Sequence, residues 1–180
     1  MQININNVCS KFKLNKNVSL DDVIISFPDA HIVKQGMSKF KGVHVKIPSY
    51  NATSTVSKSG QVVLVGSKSV EDARETAMFL FTVLGGKGDA EFLVTNIASS
   101  IKWKQPISLT KLYENLRTKT KPSSMVFEPE LGTHCIDLRC SRGMTKIFGT
   151  GNMVITGCRC EADILETLHT TLSLINDHYN

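Results

Sequence analysis

One stretch of this sequence occurs twice. Residues 55–84 and residues 146–175 align without a gap at an offset of 91 positions. A period of this length indicates a folding unit that is used twice, and the two copies together fill the chain. We therefore predict two repeats, residues 1–88 and 89–180, that form one integrated domain. The aligned pairs include Gly60 with Gly151, Gly66 with Gly157, Glu75 with Glu166 and, slightly upstream at an offset of 89, Asn7 with Asn96.

Each repeat has the same succession of local signals. The pairs Ser59-Gly60 and Thr150-Gly151 are typical of hairpin turns between short strands. Ser69, three residues before Asp72, has the spacing of a helix start. Short helices are expected near 19–25 and 108–116. The apolar residues that recur at helical spacing after each hairpin are Val70, Ala73, Ala77, Leu80 and Leu84, and then Ile164, Leu165, Leu168, Leu172 and Ile175.

These signals predict the order β-α-β-β-β-β-α in each repeat, which is an α+β fold. Long amphipathic helices would cover one face of the sheet and leave the other face open. That open face is where we look for a functional surface.

Composition limits the classes of function only weakly. The net charge is +5, of which residues 1–90 contribute +4 and residues 91–180 contribute +1, and this is compatible with nucleic-acid binding without requiring it. The five cysteines are an odd number, and their C-x4-C and C-x-C spacings do not fit a zinc site. No catalytic arrangement stands out, so we expect neither an enzyme nor a bound cofactor or metal.

Four segments resemble the TATA-binding protein family. SGQVVLVGSKSVEDA (59–73) and TGNMVITGCRCEADI (150–164) are similar to its repeated signature. VTNIASSIKWKQPISLTKL (94–112) and FEPEL (127–131) are similar to two further family segments. The resemblance implies a saddle-shaped fold in which two pseudo-symmetric repeats form one curved antiparallel sheet, with helices on the convex face.

The resemblance also implies that the concave sheet binds the minor groove of A/T-rich DNA. It places Asn7 and Asn96 at two central asparagines that donate to base acceptors, and it places small, apolar or basic side chains around them. The expected DNA-binding residues are Asn7, Cys9, Lys11, Phe40, Lys46, Thr55, Val63, Val65, Asn96, Ala98, Lys102, Leu131, Arg139, Lys146, Phe148, Val154 and Thr156.

The sequence departs from the family at positions that should matter for bending. Phe40 and Phe148 match two of four side chains that wedge between base steps, whereas Ser57 and Leu131 stand at or near the other two. A leucine can wedge between bases and a serine cannot. Asp137 replaces a basic residue and should repel phosphates.

The resemblance further implies protein partners. Glu128 and Glu130 match acidic residues that contact a transcription factor IIB-like protein, so we expect an initiation factor that works with the RNA polymerase machinery. It would be a monomer on DNA, with a homodimer off DNA left open and no membrane involved, and it would act in the nucleus, or in a cytoplasmic viral factory if viral. The alternative is a module of the same fold that binds a protein or an RNA/DNA hybrid without bending a promoter.

Overall fold

The computed structural model describes residues 2–34, 41–119 and 124–179, which contain ten strands and four helices. The first seven elements are β1 (Ile3–Lys13), α1 (Leu20–Ser26), β2 (His31–Lys34), β3 (Lys41–Ile47), β4 (Ala52–Ser57), β5 (Gln61–Ser67) and α2 (Val70–Val83). The next seven are β6 (Leu93–Lys102), α3 (Leu109–Lys119), β7 (Met125–Val126), β8 (Cys135–Arg139), β9 (Met144–Phe148), β10 (Asn152–Cys158) and α4 (Glu161–Tyr179). The predicted order β-α-β-β-β-β-α is therefore confirmed in both halves.

The chain divides into two compact units. The first unit is residues 6–95, and the second unit is residues 96–180 together with residues 1–5. In the first unit the antiparallel strands follow the order β1-β5-β4-β3-β2, and in the second unit they follow the equivalent order β6-β10-β9-β8-β7. The internal repeat of the sequence is thus a repeat of topology.

The hairpin turns predicted from serine or threonine followed by glycine are present in both units. Gly60 and Gly151 have φ angles of +78° and +85°, which residues that carry a Cβ atom rarely adopt. A Cβ atom at Gly60 would also lie 2.1 Å from the carbonyl oxygen of Lys16, and one at Gly151 would lie 2.5 Å from that of Gln105. Glycine is therefore required at both turns by conformation and by space.

Serine side chains start the two helices of the first unit. The Ser19 hydroxyl accepts a hydrogen bond from the Asp22 amide at 3.3 Å, and the Ser69 hydroxyl accepts one from the Asp72 amide at 3.0 Å. Each bond satisfies one of the amides that a helix leaves unpaired at its start. The helix start predicted at Ser69 and the helix expected near 19–25 are confirmed.

In each unit the helices cover one face of the strands with apolar side chains. The first core packs Ala77 and Leu80 of α2 and Val23 of α1 against the sheet. The second core includes Trp103, which is 8% exposed. Leu165 is a correction to the predicted apolar stripe, because it is 57% exposed on α4 while Ile164 beside it is buried. None of the helices in the described ranges is both long and apolar enough to cross a membrane.

Candidate nucleic-acid interface

The open face of each unit follows from the alternation of its strands. Along β1, Val8, Ser10 and Phe12 are buried on the helix side, so the residues between them point the other way. We use "open face" for the side chains that point away from the helices. In the first unit they are Asn7, Cys9, Lys11, Lys13, His31, His44, Lys46, Thr53, Thr55, Ser57, Gln61, Val63 and Val65. In the second unit they are Asn96, Ala98, Ser100, Lys102, Cys135, Asp137, Arg139, Met144, Lys146, Phe148, Asn152, Val154 and Thr156.

Two asparagines occupy equivalent positions on the open faces and make the same hydrogen bond. The amide of Gly66 donates to Oδ1 of Asn7 at 2.7 Å, and the amide of Gly157 donates to Oδ1 of Asn96 at 2.6 Å. Each glycine lies where the strand register shifts, with φ angles of +108° and +85°. Because a backbone amide can only donate, the accepting atom must be the oxygen, and the NH2 group of each side chain remains as its donor.

Small and apolar side chains surround these asparagines. Val63 and Val65 of β5 are 40% and 38% exposed, although valines on a strand usually face a core. Val154 and Thr156 occupy the equivalent positions on β10 and are half-buried, as is Ala98 on β6. The side chains of this set are therefore short and uncharged, and the surface that they form can come close to a flat partner.

Basic side chains flank this region in the first unit. Lys11 and Lys13 on β1 and Lys46 on β3 are exposed. Lys46 is opposite Thr53, and its neighbour two positions back on β3, His44, is opposite Thr55. Among the described open-face residues of the first unit there is no carboxylate, so the face presents uncompensated positive charge.

The open face of the second unit carries an ion pair. Asp137 on β8 is directly opposite Lys146 on β9, and the Lys146 ammonium donates to both carboxylate oxygens at 2.6 and 2.8 Å. The hydrogen bond to Asp137 raises the pKa of Lys146, so this lysine remains charged but is already paired. Asp137 also accepts a hydrogen bond from the Cys135 thiol at 3.4 Å, and burial together with that bond raises the pKa of the thiol.

Ser57 and Phe148 occupy equivalent positions but point to different surroundings. Ser57 is 8% exposed, and its hydroxyl bonds to the Ser59 hydroxyl and to the Gln61 carbonyl, each at 3.0 Å. Phe148 is half-exposed on β9 and lines an open depression of about 670 Å³ with Phe127 and other residues of the second unit. Phe40, the predicted partner of Ser57, lies outside the described residues.

The loop between β7 and β8, residues 127–134, is referred to below as the second stirrup. It contains a short 3-10 turn, Pro129–Leu131, that Gly132 ends in the left-handed conformation. Leu131 is 77% exposed, and Glu128 and Glu130 are exposed beside it. The loop therefore presents the apolar side chain of Leu131 and the carboxylates of Glu128 and Glu130 to solvent.

His44, Cys135 and Met144 are open-face residues that the reasoning from sequence did not assign. Strand alternation places His44 two positions before Lys46, and the other two are two positions before Asp137 and Lys146. The sequence could have revealed these residues, because residues two apart on a strand share a face.

All five cysteines are free thiols, and the described residues contain no group of three or more His, Cys, Asp or Glu side chains arranged to hold a metal ion.

Comparison with known proteins identifies the family. The sequence model of "Transcription factor TFIID (or TATA-binding protein, TBP)" matches residues 2–85 and, a second time, residues 91–178. The chain belongs to the TATA-binding protein family. This family consists of transcription factors and not of enzymes, and the expectation that this chain has no catalytic activity stays a prediction.

Individual members of the TATA-binding protein family are similar over most of the chain. The TATA-box-binding protein of Archaeoglobus fulgidus is 28% identical over 168 residues, which are 90% of this chain and 88% of that protein. TATA-box-binding protein 2 of Entamoeba histolytica is 24% identical over 163 residues, 88% of this chain and 73% of that protein. The solved structure of Methanococcus jannaschii TBP superposes with a TM-score of 0.80 at 21% identity, covering 98% of this chain and 99% of the other. The predicted α+β fold of the family is confirmed.

Proposed function

We propose that this chain is a transcription initiation factor that binds A/T-rich promoter DNA in the minor groove through its open faces and bends it. The observation that carries the proposal is the matched pair Asn7 and Asn96, each oriented by a glycine amide so that its NH2 group is the donor. One hydrogen of the Asn7 NH2 group points to the Cys9 sulfur at 3.3 Å, which leaves the other to donate to a base. Family membership supports the same conclusion, since the similar proteins are named TATA-box-binding proteins.

The chemistry of the minor groove fits these donors. A·T and T·A pairs both present only acceptor atoms there, and a G·C pair adds an amino donor that would oppose an asparagine NH2 group. Val63, Val65 and Val154 are suited to close contact with sugar edges, and the exposed Lys11 and Lys46 are suited to phosphates. Phe148 supplies an apolar ring of the kind that partly unstacks a base step.

The partner that we propose for the second stirrup is a transcription factor IIB-like protein. Glu128 and Glu130 are exposed on either side of Pro129, so a basic surface on the partner could pair with both carboxylates. On DNA the chain would act as a monomer and recruit polymerase through this partner. It would act where transcription starts, which in a eukaryotic cell is the nucleus; the similar archaeal and Entamoeba proteins give no support to a viral factory.

The experiment that tests the proposal is titration of an end-labelled A/T-rich duplex, with affinity and end-to-end distance read together. Asn96→Asp keeps an oxygen to accept from Gly157 but replaces the donor with a negative charge. We expect this variant to fold normally and to bind the duplex at least about tenfold more weakly. The reason is that the donating NH2 group becomes a carboxylate oxygen, which the acceptor atoms of the bases repel. Asn7→Asp should behave in the same way.

Asn152→Asp is the matched control, because it places the same change on an exposed open-face residue next to the turn at Gly151. It should weaken binding much less than Asn96→Asp does. If the unmodified chain fails to bind or shorten the duplex at low salt, or if Asn96→Asp binds as tightly as the original, minor-groove recognition by these asparagines is wrong.

A second candidate function is a module that binds a protein or an RNA/DNA hybrid without bending a promoter. Two observations favour it: the Asp137–Lys146 pair removes a free positive charge, and Ser57 replaces a wedge. Selection from a pool of random duplexes separates the two candidates. Enrichment of A/T-rich sequences supports promoter recognition, and the absence of any enrichment together with capture of a hybrid or protein supports the alternative.

A further inference from the structure

Two histidines face each other at the outer strands of the first unit. His31 on β2 is directly opposite His44 on β3 in the antiparallel register. Their ring centroids are 5.6 Å apart, with an angle of 57° between the ring planes. His31 is exposed and His44 is half-buried, so both rings can be reached by solvent and ions.

The pair lies on the open face. Val43 and Val45, the neighbours of His44 on β3, are fully buried on the helix side, so His44 points away from the helices. Directly opposed residues in a sheet point to the same side, so His31 lies on that side as well. Lys46, two positions after His44, shares the face and is exposed.

The surroundings of the pair are short of negative charge. On β4, the residues opposite His44 and Lys46 are Thr55 and Thr53. The acids nearest in the chain are Asp29, exposed in the turn before β2, and Asp21 and Asp22, exposed in the first turn of α1. Neither histidine forms an ion pair with any residue in the described ranges. A proton on either ring therefore adds positive charge next to Lys46.

Resting on the proposed function, we propose that His31 and His44 extend the DNA-binding surface as a phosphate site that takes up protons when DNA binds. Histidine changes charge between about pH 5 and pH 8. A backbone phosphate placed against the two rings attracts an imidazolium more strongly than a neutral imidazole, so DNA binding and protonation favour each other reciprocally.

The test compares the chain with a His31→Gln/His44→Gln variant, which retains polar side chains but cannot titrate. Affinity for an A/T-rich duplex is measured at constant ionic strength across the titration range of histidine. Uptake of about half a proton makes the affinity of the original chain rise roughly tenfold as the pH falls by about two units. The double variant should lose most of this rise, and calorimetry in buffers of different ionisation enthalpy should report fewer protons taken up.

Two further variants make the test specific. His169→Gln changes an exposed histidine on α4 and should keep the full pH dependence. His44→Lys, made together with His31→Gln, supplies a permanent charge and should restore tight binding at the alkaline end without the pH dependence. That rescue would not follow if the histidines only supported the fold.

The possible failures are distinguishable. If the original chain does not bind the duplex at any pH, the proposed minor-groove function fails, and this inference fails with it. If the original chain binds and the double variant shows the same pH profile and proton uptake, the histidine site alone is wrong. Equal urea midpoints for all variants would show that differences in binding do not arise from unfolding.

Discussion

The two units have the same topology but differ in the charges on their open faces. In the first unit Lys11, Lys13 and Lys46 are exposed, and the described open-face residues include no carboxylate. In the second unit Asp137 neutralises Lys146 across two strands. The features that the units share are those that fix the backbone: the glycine turns and the asparagine–glycine hydrogen bonds. Beyond the two asparagines, the charge pairing and the side chain at the wedge position have diverged, which predicts that the two units contribute unequally to binding.

The largest expected effect concerns the wedge. Replacing Phe148 with serine gives the second unit the residue that the first unit has at Ser57. Because Phe148 is the half-exposed aromatic side chain at this position, its loss should weaken binding of an A/T-rich duplex by about 10- to 100-fold and reduce bending. Affinity and end-to-end distance measured on the same labelled duplex check both effects.

The matched control for this substitution is Phe148→Leu, since leucine can also wedge between bases. It should remain within a few-fold of the original affinity. Ser57→Ala should likewise change DNA affinity little, because the Ser57 hydroxyl bonds within its own turn. Equal binding by Phe148→Ser and the original chain would show that neither unit uses this position as a wedge.

The next effect is a gain. Asp137→Asn should release Lys146 to contact a phosphate and remove a repulsive charge. We expect affinity to rise about 3- to 10-fold at low salt, with the slope of log affinity against log salt steeper by about one unit. A salt titration of the labelled duplex measures both quantities.

Adding Lys146→Gln to Asp137→Asn should cancel the steeper slope, while Lys146→Gln alone should change it little. Asp21→Asn, which removes an exposed carboxylate on α1, controls for the change in net charge. A gain of the same size from Asp21→Asn would mean that overall charge, and not the pairing of Lys146, separates the two units.

Sequence reasoning predicted the fold well because its main determinants are local and occur twice. The turns at Gly60 and Gly151 need glycine for conformational reasons, and the helix starts at Ser19 and Ser69 need a side-chain acceptor. Such requirements can be seen in a single sequence, and repetition reinforces each one. Leu165 was placed wrongly because helical spacing alone does not show where the edge of the buried stripe lies.

The candidate site was predicted in its composition but not in its interactions. Asp137 and Lys146 were each assigned to the open face, yet their ion pair depends on the register of β8 against β9. The same holds for His31 and His44, which are 13 positions apart in the chain and directly opposed in the sheet. Register is set by turns and packing across strands, so pairings of this kind require the structure.

A smaller effect is expected on the helix side, where Ser54 and Thr145 are equivalent. In the second unit Thr145 Oγ1 lies 2.8 Å from Thr171 Oγ1, and this contact is buried. The buried Ser54 hydroxyl of the first unit has no partner in the described part of the chain. Thr171→Val should lower the free energy of unfolding by about 1 to 2 kcal/mol, because it leaves the Thr145 hydroxyl unpaired. Ser54→Ala should be neutral or slightly stabilising.

Urea unfolding at neutral pH measures both changes in stability. The double variant Thr145→Val/Thr171→Val provides the control, since replacing both partners with apolar groups of the same shape removes the unpaired hydroxyl. It should recover most of the stability lost in Thr171→Val. A double variant that is as unstable as the single one would assign the loss to packing and not to the hydrogen bond.

The smallest effect concerns how the long helix of each unit begins. α2 starts at Ser69, whose hydroxyl does not titrate, but the equivalent residue before α4 is Cys160, and there Asp163 accepts a hydrogen bond from the Arg159 amide at 3.0 Å. That backbone hydrogen bond lowers the pKa of Asp163 below its usual 3.8. The stability that the ionised Asp163 carboxylate contributes is therefore complete above the usual pKa of an aspartate. It is lost as the pH falls through the lowered pKa of Asp163. Asp163→Asn should flatten the decline of the urea midpoint in this acid range. Identical acid profiles for Asp163→Asn and the original chain would contradict the role assigned to Asp163.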